Sequence, residues 1–137
     1  MLGGFGETLL IYGMVFFISG SAGIWLFYVQ HQFDDTYWRP EGEWDYATAA
    51  LYGSSYLKLP KVLQWFSGNI GLHHIHNLSP KIPNYRLQRC HDENPVFQQV
   101  PTLTFWESFK TIRNKLWDEE SSRMVGWGQL RRLRTPK

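Results

Sequence analysis

The sequence has no lysine or arginine before Arg39, and no charged residue of either sign between Thr8 and Gln30. The chain therefore has two physically different halves. Cysteine is nearly absent: Cys90 stands alone, which excludes an intramolecular disulfide and any metal cage built from cysteines only. A lone thiol agrees with a reducing compartment. Internal repeats and low-complexity tracts are also missing, which sets aside solenoids and disordered linkers. With 137 residues and a formal net charge of +2, the chain holds one domain at most, and its total charge says little about partners.

The uncharged run TLLIYGMVFFISGSAGIWLFYVQ covers residues 8–30. At ~1.5 Å rise per residue it makes a helix of roughly 34 Å, enough to span a hydrocarbon core of ~30 Å. A signal peptide would need a basic amino-terminal region and a shorter apolar run ending in small residues, whereas Glu7 is the sole early charge. Gly13, Ser19, Gly20, Ser21, Ala22 and Gly23 suit either a single anchor or close packing against another helix. Trp25, Phe27 and Tyr28 gather at the carboxyl end, where amphipathic rings favour the headgroup level. All basic residues follow, so the positive-inside bias places the second half in the cytoplasm.

Residues 31–120 form a cytoplasmic or interfacial region, and residues 121–137 a basic tail expected to fray, ending in Arg131, Arg132, Arg134 and Lys137. Pro40 and Gly42 predict a turn, and Trp44 to Tyr52 a short helix stopped by Gly53. Pro60 opens another element, whose apolar residues from Val62 to Leu72 lead into a histidine cluster. Ser79, Pro80, Pro83 and Asn84 predict an irregular loop to about Pro95. A last helix begins near Thr104 with Glu107 completing a capping box, and Phe105, Phe109, Ile112 and Leu116 recur at helical spacing. Its other face carries Lys110, Arg113 and Lys115, so the helix either lies on a bilayer surface or packs on its own protein.

The run Gly71-Leu-His-His-Ile-His-Asn-Leu-Ser-Pro80 carries the chemistry. His73, His76 and Asn77 share one helical face, while His74 turns about 100° away and reads as a supporting or hydrogen-bonding residue. Imidazole suits iron, zinc and copper alike, so spacing alone does not choose the metal. His31, an ionisable group where the apolar run emerges, is a functional candidate by position, with Gln30 and Gln32 beside it to orient the ring. Asn69 suits either the metal shell or a bond to a backbone group. Asp34 and Asp35 could bind iron, as carboxylates do in soluble di-iron proteins, or be polar structural or supporting residues, and His91, outside any metal spacing, reads as structural.

Two long runs resemble a known family. LFYVQHQFDDTYW at 26–38 and GLHHIHNLSPKIPNY at 71–85 are similar to bacterial and cyanobacterial acyl-lipid desaturases, as are Trp44-Asp45, Gly53-Ser-Ser-Tyr56 and Cys90-His-Asp-Glu-Asn-Pro95. In that family three histidine boxes and an additional histidine bind two irons, and the third box reads H-x-x-H-H. His73 and His76 match it, His31 matches the additional histidine, and Asn77 replaces the final histidine, a poorer ligand that bears on the second iron. The resemblance implies an all-α integral membrane protein with about four transmembrane helices and a cytoplasmic helical cap in its complete form. Of these the chain would supply one clear span, a partly embedded element near Val62 to Leu72, and part of the cap.

The first two boxes are not in this sequence, so the expectation is an incomplete carboxyl-terminal part, inactive alone. The implied reaction uses O₂ and a di-iron centre to introduce a cis double bond into membrane lipid acyl chains, with electrons from ferredoxin or a similar carrier, in a bacterial inner membrane. Lys58, Lys61, Lys81, Arg86 and Arg89 either steer such an acidic donor or form an ordinary solvated surface. Two other readings stand beside this: a non-catalytic membrane remnant, favoured by Asn77, and a related di-iron hydroxylase or ketolase. Ile82-Pro-Asn-Tyr85 favours the desaturase.

Overall fold

The uncharged run folds as one unbroken helix, α1, spanning Gly3–His31 in a computed structural model that describes residues 3–134. It is apolar around its whole circumference, and its side chains from Gly4 to Ile24 are exposed. All-round apolarity without burial suits a helix surrounded by lipid or by other helices. Thr8 donates to the Gly4 carbonyl (2.6 Å) and Ser19 to the Val15 carbonyl (2.7 Å), so these hydroxyls are satisfied without water. Among the described residues α1 is the one helix long and apolar enough to cross a membrane.

Only the last turns of α1 pack. Val29 and Gln30 are fully buried, and the Gln30 carbonyl accepts from Ser55 N–H at 2.9 Å. The head that follows is mostly helical. The helix α2 (Tyr46–Tyr52) starts at Asp45, whose carboxylate accepts from Thr48 N–H at 2.8 Å. The strand β1 (Tyr56–Lys58) leads to α3 (Lys61–Phe66), then α4 (His73–Leu78), α5 (Asn84–Glu93) and a 3₁₀ turn at Pro95–Gln99. All of these lie in the crossover between β1 and β2 (Thr102–Thr104), which pair in parallel with Tyr56 opposite Thr102 and Lys58 opposite Thr104. Parallel strands require such a long connection. The helix α6 (Phe105–Thr111) follows β2 directly; β3 (Leu116–Asp118) and β4 (Arg123–Val125) form a hairpin, and α7 (Trp127–Arg134) ends the described chain.

The core lies under the crossover. Leu72, Ile75, Leu87 and Phe97 are buried together, with Leu51, Tyr56, Leu78, Ile82 and Cys90 packed around them.

Four expectations are corrected. The element after Pro60 does not run into the histidines: α3 stops at Phe66, and Gly68 (φ 62°) and Asn69 (φ 59°) turn the chain through the left-handed region. The loop expected from Ser79 to Pro95 contains α5, because Pro83 sits at a helix start, where its missing N–H is harmless, and Leu87 then faces the core. The helix from Thr104 has the capping box but ends at Thr111, and Leu116 joins the hairpin. The tail expected to fray supplies β4 and α7, with the Arg123 guanidinium on the Asp35 carboxylate at 2.9 Å; Lys137 lies outside the described residues.

Candidate metal centre

His31 ends α1, and its ring is set from behind. Nδ1–H donates to the Gly53 carbonyl at 3.0 Å, which leaves Nε2 with its lone pair facing outward. Gly53 closes α2, its N–H bonded to the Ala49 carbonyl at 2.9 Å. The end of α2 therefore decides which nitrogen of His31 is available.

The histidine face of α4 is held at both ends. Just before it the Gly71 carbonyl accepts from Leu57 N–H at 2.9 Å, and a Cβ on Gly71 would stand 2.3 Å from the Leu57 carbonyl oxygen. Only glycine permits that approach of strand and helix. At the far end the Tyr46 hydroxyl donates to the carbonyls of Asn77 (2.8 Å) and Leu78 (3.1 Å), two of the acceptors that a helix end leaves open.

Between these supports the two histidine elements meet. Nε2 of His31 and Nε2 of His73 are 3.1 Å apart, with the rings edge to face at 5.0 Å. His76 stacks beside His73 with ring centres 5.8 Å apart. Burial holds the His73 imidazole down to about 4, and His31 and His76 add repulsion in the same direction, so the ring is neutral at pH 7. Neutral imidazole is the form that binds metal.

These positions bear on iron as follows. Two nitrogens each ~2.1 Å from one metal, at a right angle, lie about 3 Å apart, which is the separation seen here. The pair therefore fits one edge of a coordination sphere. Asn77 donates its side-chain N–H to Ser54 Oγ at 3.2 Å, a bond that does not use its amide oxygen, the atom able to ligate a metal. No group of three His, Cys, Asp or Glu side chains converges as a metal cage among the described residues.

The other candidates point away. His74 is fully buried on the opposite face, among Tyr56, His91 and Phe97. Neither of its ring nitrogens meets a hydrogen-bond partner among the described residues, which corrects the expectation of a hydrogen-bonding role. Burial first, then His91, brings its pKa to about 4. Asp34 accepts from the Asn114 amide and Asp35 from Arg123, both structural bonds. Asn69 donates to the Asn84 carbonyl at 3.0 Å, the backbone alternative. An open depression lined by Phe33, Asp35, Thr111 and Arg123, among others, contains none of the histidines.

Sequence reasoning did not single out Tyr46, Gly53 or Ser54 as supports. Tyr46 and Ser54 act on residues more than twenty positions away, and no local pattern signals such a bond; Gly53 was legible only as a helix stop.

The fatty acid desaturase family model matches residues 1–108. The chain is 46% identical over 130 residues to a fatty acid desaturase of Bacillus subtilis, covering 95% of this chain and 37% of that protein. It is 31% identical over 88 residues to a chloroplastic omega-6 fatty acid desaturase of Arabidopsis thaliana, covering 61% of this chain and 19% of that protein. The Glycine max protein of the same description is 32% identical over 58% of this chain and 20% of its own length. The chain thus spans little more than a third of the Bacillus relative, and no solved structure matches it. Matched over most of its length, with His31 and His73 brought into contact, the chain belongs to the fatty acid desaturase family.

Proposed function

We propose that this chain is the carboxyl-terminal part of a membrane acyl-chain desaturase, and that His31, His73 and His76 are ligands of its iron centre. The observation that carries the proposal is the 3.1 Å contact between His31 and His73, made across 42 positions of sequence at the end of a helix able to cross a membrane. A di-iron centre held there would supply the activation of O₂ and the removal of hydrogen from an acyl methylene that leave a cis double bond.

The protein's own part is orientation and shielding. Gly53 holds His31 in the Nε2 lone-pair tautomer, and the Tyr46 hydroxyl braces α4. Leu72 and Ile75, both fully buried, keep water from the inner side of α4. The span α1 would place lipid acyl chains, the substrate class, beside the same helix that ends in His31. The head would lie on the cytoplasmic side of a bacterial inner membrane, an orientation supported by the basic residues, all of which come after α1. A ferredoxin-like donor would meet the exposed side chains of Lys81 and Arg86.

The test is a chimera in which this chain replaces the corresponding third of the Bacillus relative, with iron content and lipid unsaturation as readouts. Iron should bind, and His31→Ala or His73→Ala should release it. Undiminished iron in both variants would overturn the ligand assignment. Asn77 favours a second reading, a non-catalytic remnant, because its amide oxygen is a poorer ligand than the imidazole that ends the third box of the family it resembles. Under that reading the chimera yields no unsaturated product, and Asn77→His restores none.

A further inference from the structure

Two helices of the head are built the wrong way round for water. In α6 Ser108 and Thr111 are buried, as is Asn114 one turn on, while Trp106 is 76% exposed and Phe109 45%. The helix α3 repeats the inversion: Gln64 is buried, and Trp65 and Phe66 on either side of the same turn are each 74% exposed. A helix whose outer face meets water shows the reverse arrangement, and apolar patches of this kind mark a surface that meets something other than water.

The inward polar face of α6 is satisfied. Ser108 Oγ donates to the Phe105 carbonyl at 2.6 Å, Thr111 Oγ1 to the Ser108 carbonyl at 2.8 Å, and the Asn114 amide to Asp34. Rotating the helix to bury its aromatics would break the bond to Asp34. The inversion is therefore a stable feature of the packing.

Topology brings the two helices to one place. Because β1 and β2 run parallel and in register, α3 and α6 leave the ribbon at the same end. The ribbon begins level with Gln30, whose carbonyl accepts from Ser55. It ends where Phe105 and Phe109 meet the Trp25 ring, at 5.8 and 5.4 Å. From Gln30 back to Trp25 is about 8 Å along α1 at the helical rise. The ribbon thus runs back along α1 toward its apolar segment, sets Phe105 and Phe109 of α6 against Trp25, and starts α3 from the same end.

The charges on and beside the two helices are basic, with Glu107 the exception. Lys110 and Arg113 are exposed next to Phe109 and Ile112, Lys58 and Lys61 precede the aromatics of α3, and the Lys115 ammonium lies 4.9 Å over the Tyr28 ring. The one acid of α6, Glu107, is tied into its own capping box.

We infer that α3 and α6 form an interfacial foot: their aromatic side chains enter the headgroup–acyl boundary of the bilayer that α1 crosses, and the surrounding lysines and arginine meet anionic lipid headgroups. The inference rests on the reading of α1 as a membrane span. Its consequence is that the head is held at a fixed height, with His31 and His73 just above the lipid.

The test uses the full chain carrying Cys90→Ser, with single nitroxide labels at Trp65→Cys, Trp106→Cys, Phe16→Cys and Gln88→Cys. Each is placed in phosphatidylcholine vesicles with or without phosphatidylglycerol, and relaxation by O₂ is compared with relaxation by a water-soluble nickel chelate. Trp65 and Trp106 are exposed, so their replacement leaves the core intact. The expected result is an O₂-to-nickel ratio at 65 and 106 several-fold above that at 88, and below that at 16. Lys110→Glu with Arg113→Glu should lower the ratio at 106 in anionic vesicles only. Labels at 65 and 106 that behave like 88, while 16 remains in the bilayer, would overturn the foot and leave the span standing. Shielding of 65 and 106 from both reagents would also overturn it, showing that protein, a second copy or another helix, covers the patch. A label at 16 that meets water would remove the span itself, and the foot with it.

Discussion

The core around α4 and α5 and the outer faces of α3 and α6 obey opposite rules. In the first, Leu72, Ile75 and Leu87 are buried and the charged residues of α5 face outward. In the second, glutamine, serine and threonine are buried and tryptophan and phenylalanine face outward. One chain thus folds against two kinds of surroundings, and the side-chain order in each helix records which one it meets.

The sharpest way to break the comparison is to cut both faces equally. Ile75→Ala in the core should cost about 3 kcal/mol, read as an early denaturant midpoint in detergent micelles. Gly71→Ala should cost about 1 to 3 kcal/mol, because the new Cβ meets the Leu57 carbonyl. It should also part His73 from His31, seen as altered chemical shifts of both rings.

Acid tests the buried side by another route. His73 and His74 titrate near 4 when folded, against 6.5 for an ordinary histidine. Between those values the unfolded chain takes up protons that the folded chain refuses, so stability is complete above about 6.5 and falls as the pH drops toward 4. Denaturant midpoints from neutral to about pH 5 should show this slope, and His74→Phe should flatten it. A smaller effect is expected at Thr104→Ala, which removes the cap of α6 for about 1 kcal/mol. The smallest is Phe66→Ala, within about 0.5 kcal/mol in micelles. A loss there as large as at Ile75 would erase the distinction between the two faces.

Much of this was legible in the residues. The absence of charge from Thr8 to Gln30 located α1, although the helix extends beyond both limits. Thr104 and Glu107 form the capping box that their spacing predicts, since capping is a local bond between near neighbours. The family's motifs paired His31 with His73, which no periodicity links across 42 positions.

What escaped was long-range or hidden by ambiguous signals. The ribbon of β1 and β2 is three residues on each side, too short for an alternating pattern to register. Pro83 and Asn84 read as breakers, yet proline suits a helix start as well as a loop. Periodicity in α6 grouped Phe105, Phe109 and Ile112 on one face, but it carries no information about what that face touches. The bond from Tyr46 to the end of α4 depends on packing alone.

His31 belongs to the same rigid rod as the apolar run, and this gives the rod a phase as well as a length. Adding one residue between Trp25 and His31 would swing the imidazole by about 100° and raise it by about 1.5 Å. His73 on α4 would then lose the ring it meets, although both histidines remained in the sequence. The spacing between the apolar run and the ring is for that reason as much a part of the His31–His73 contact as the ring itself.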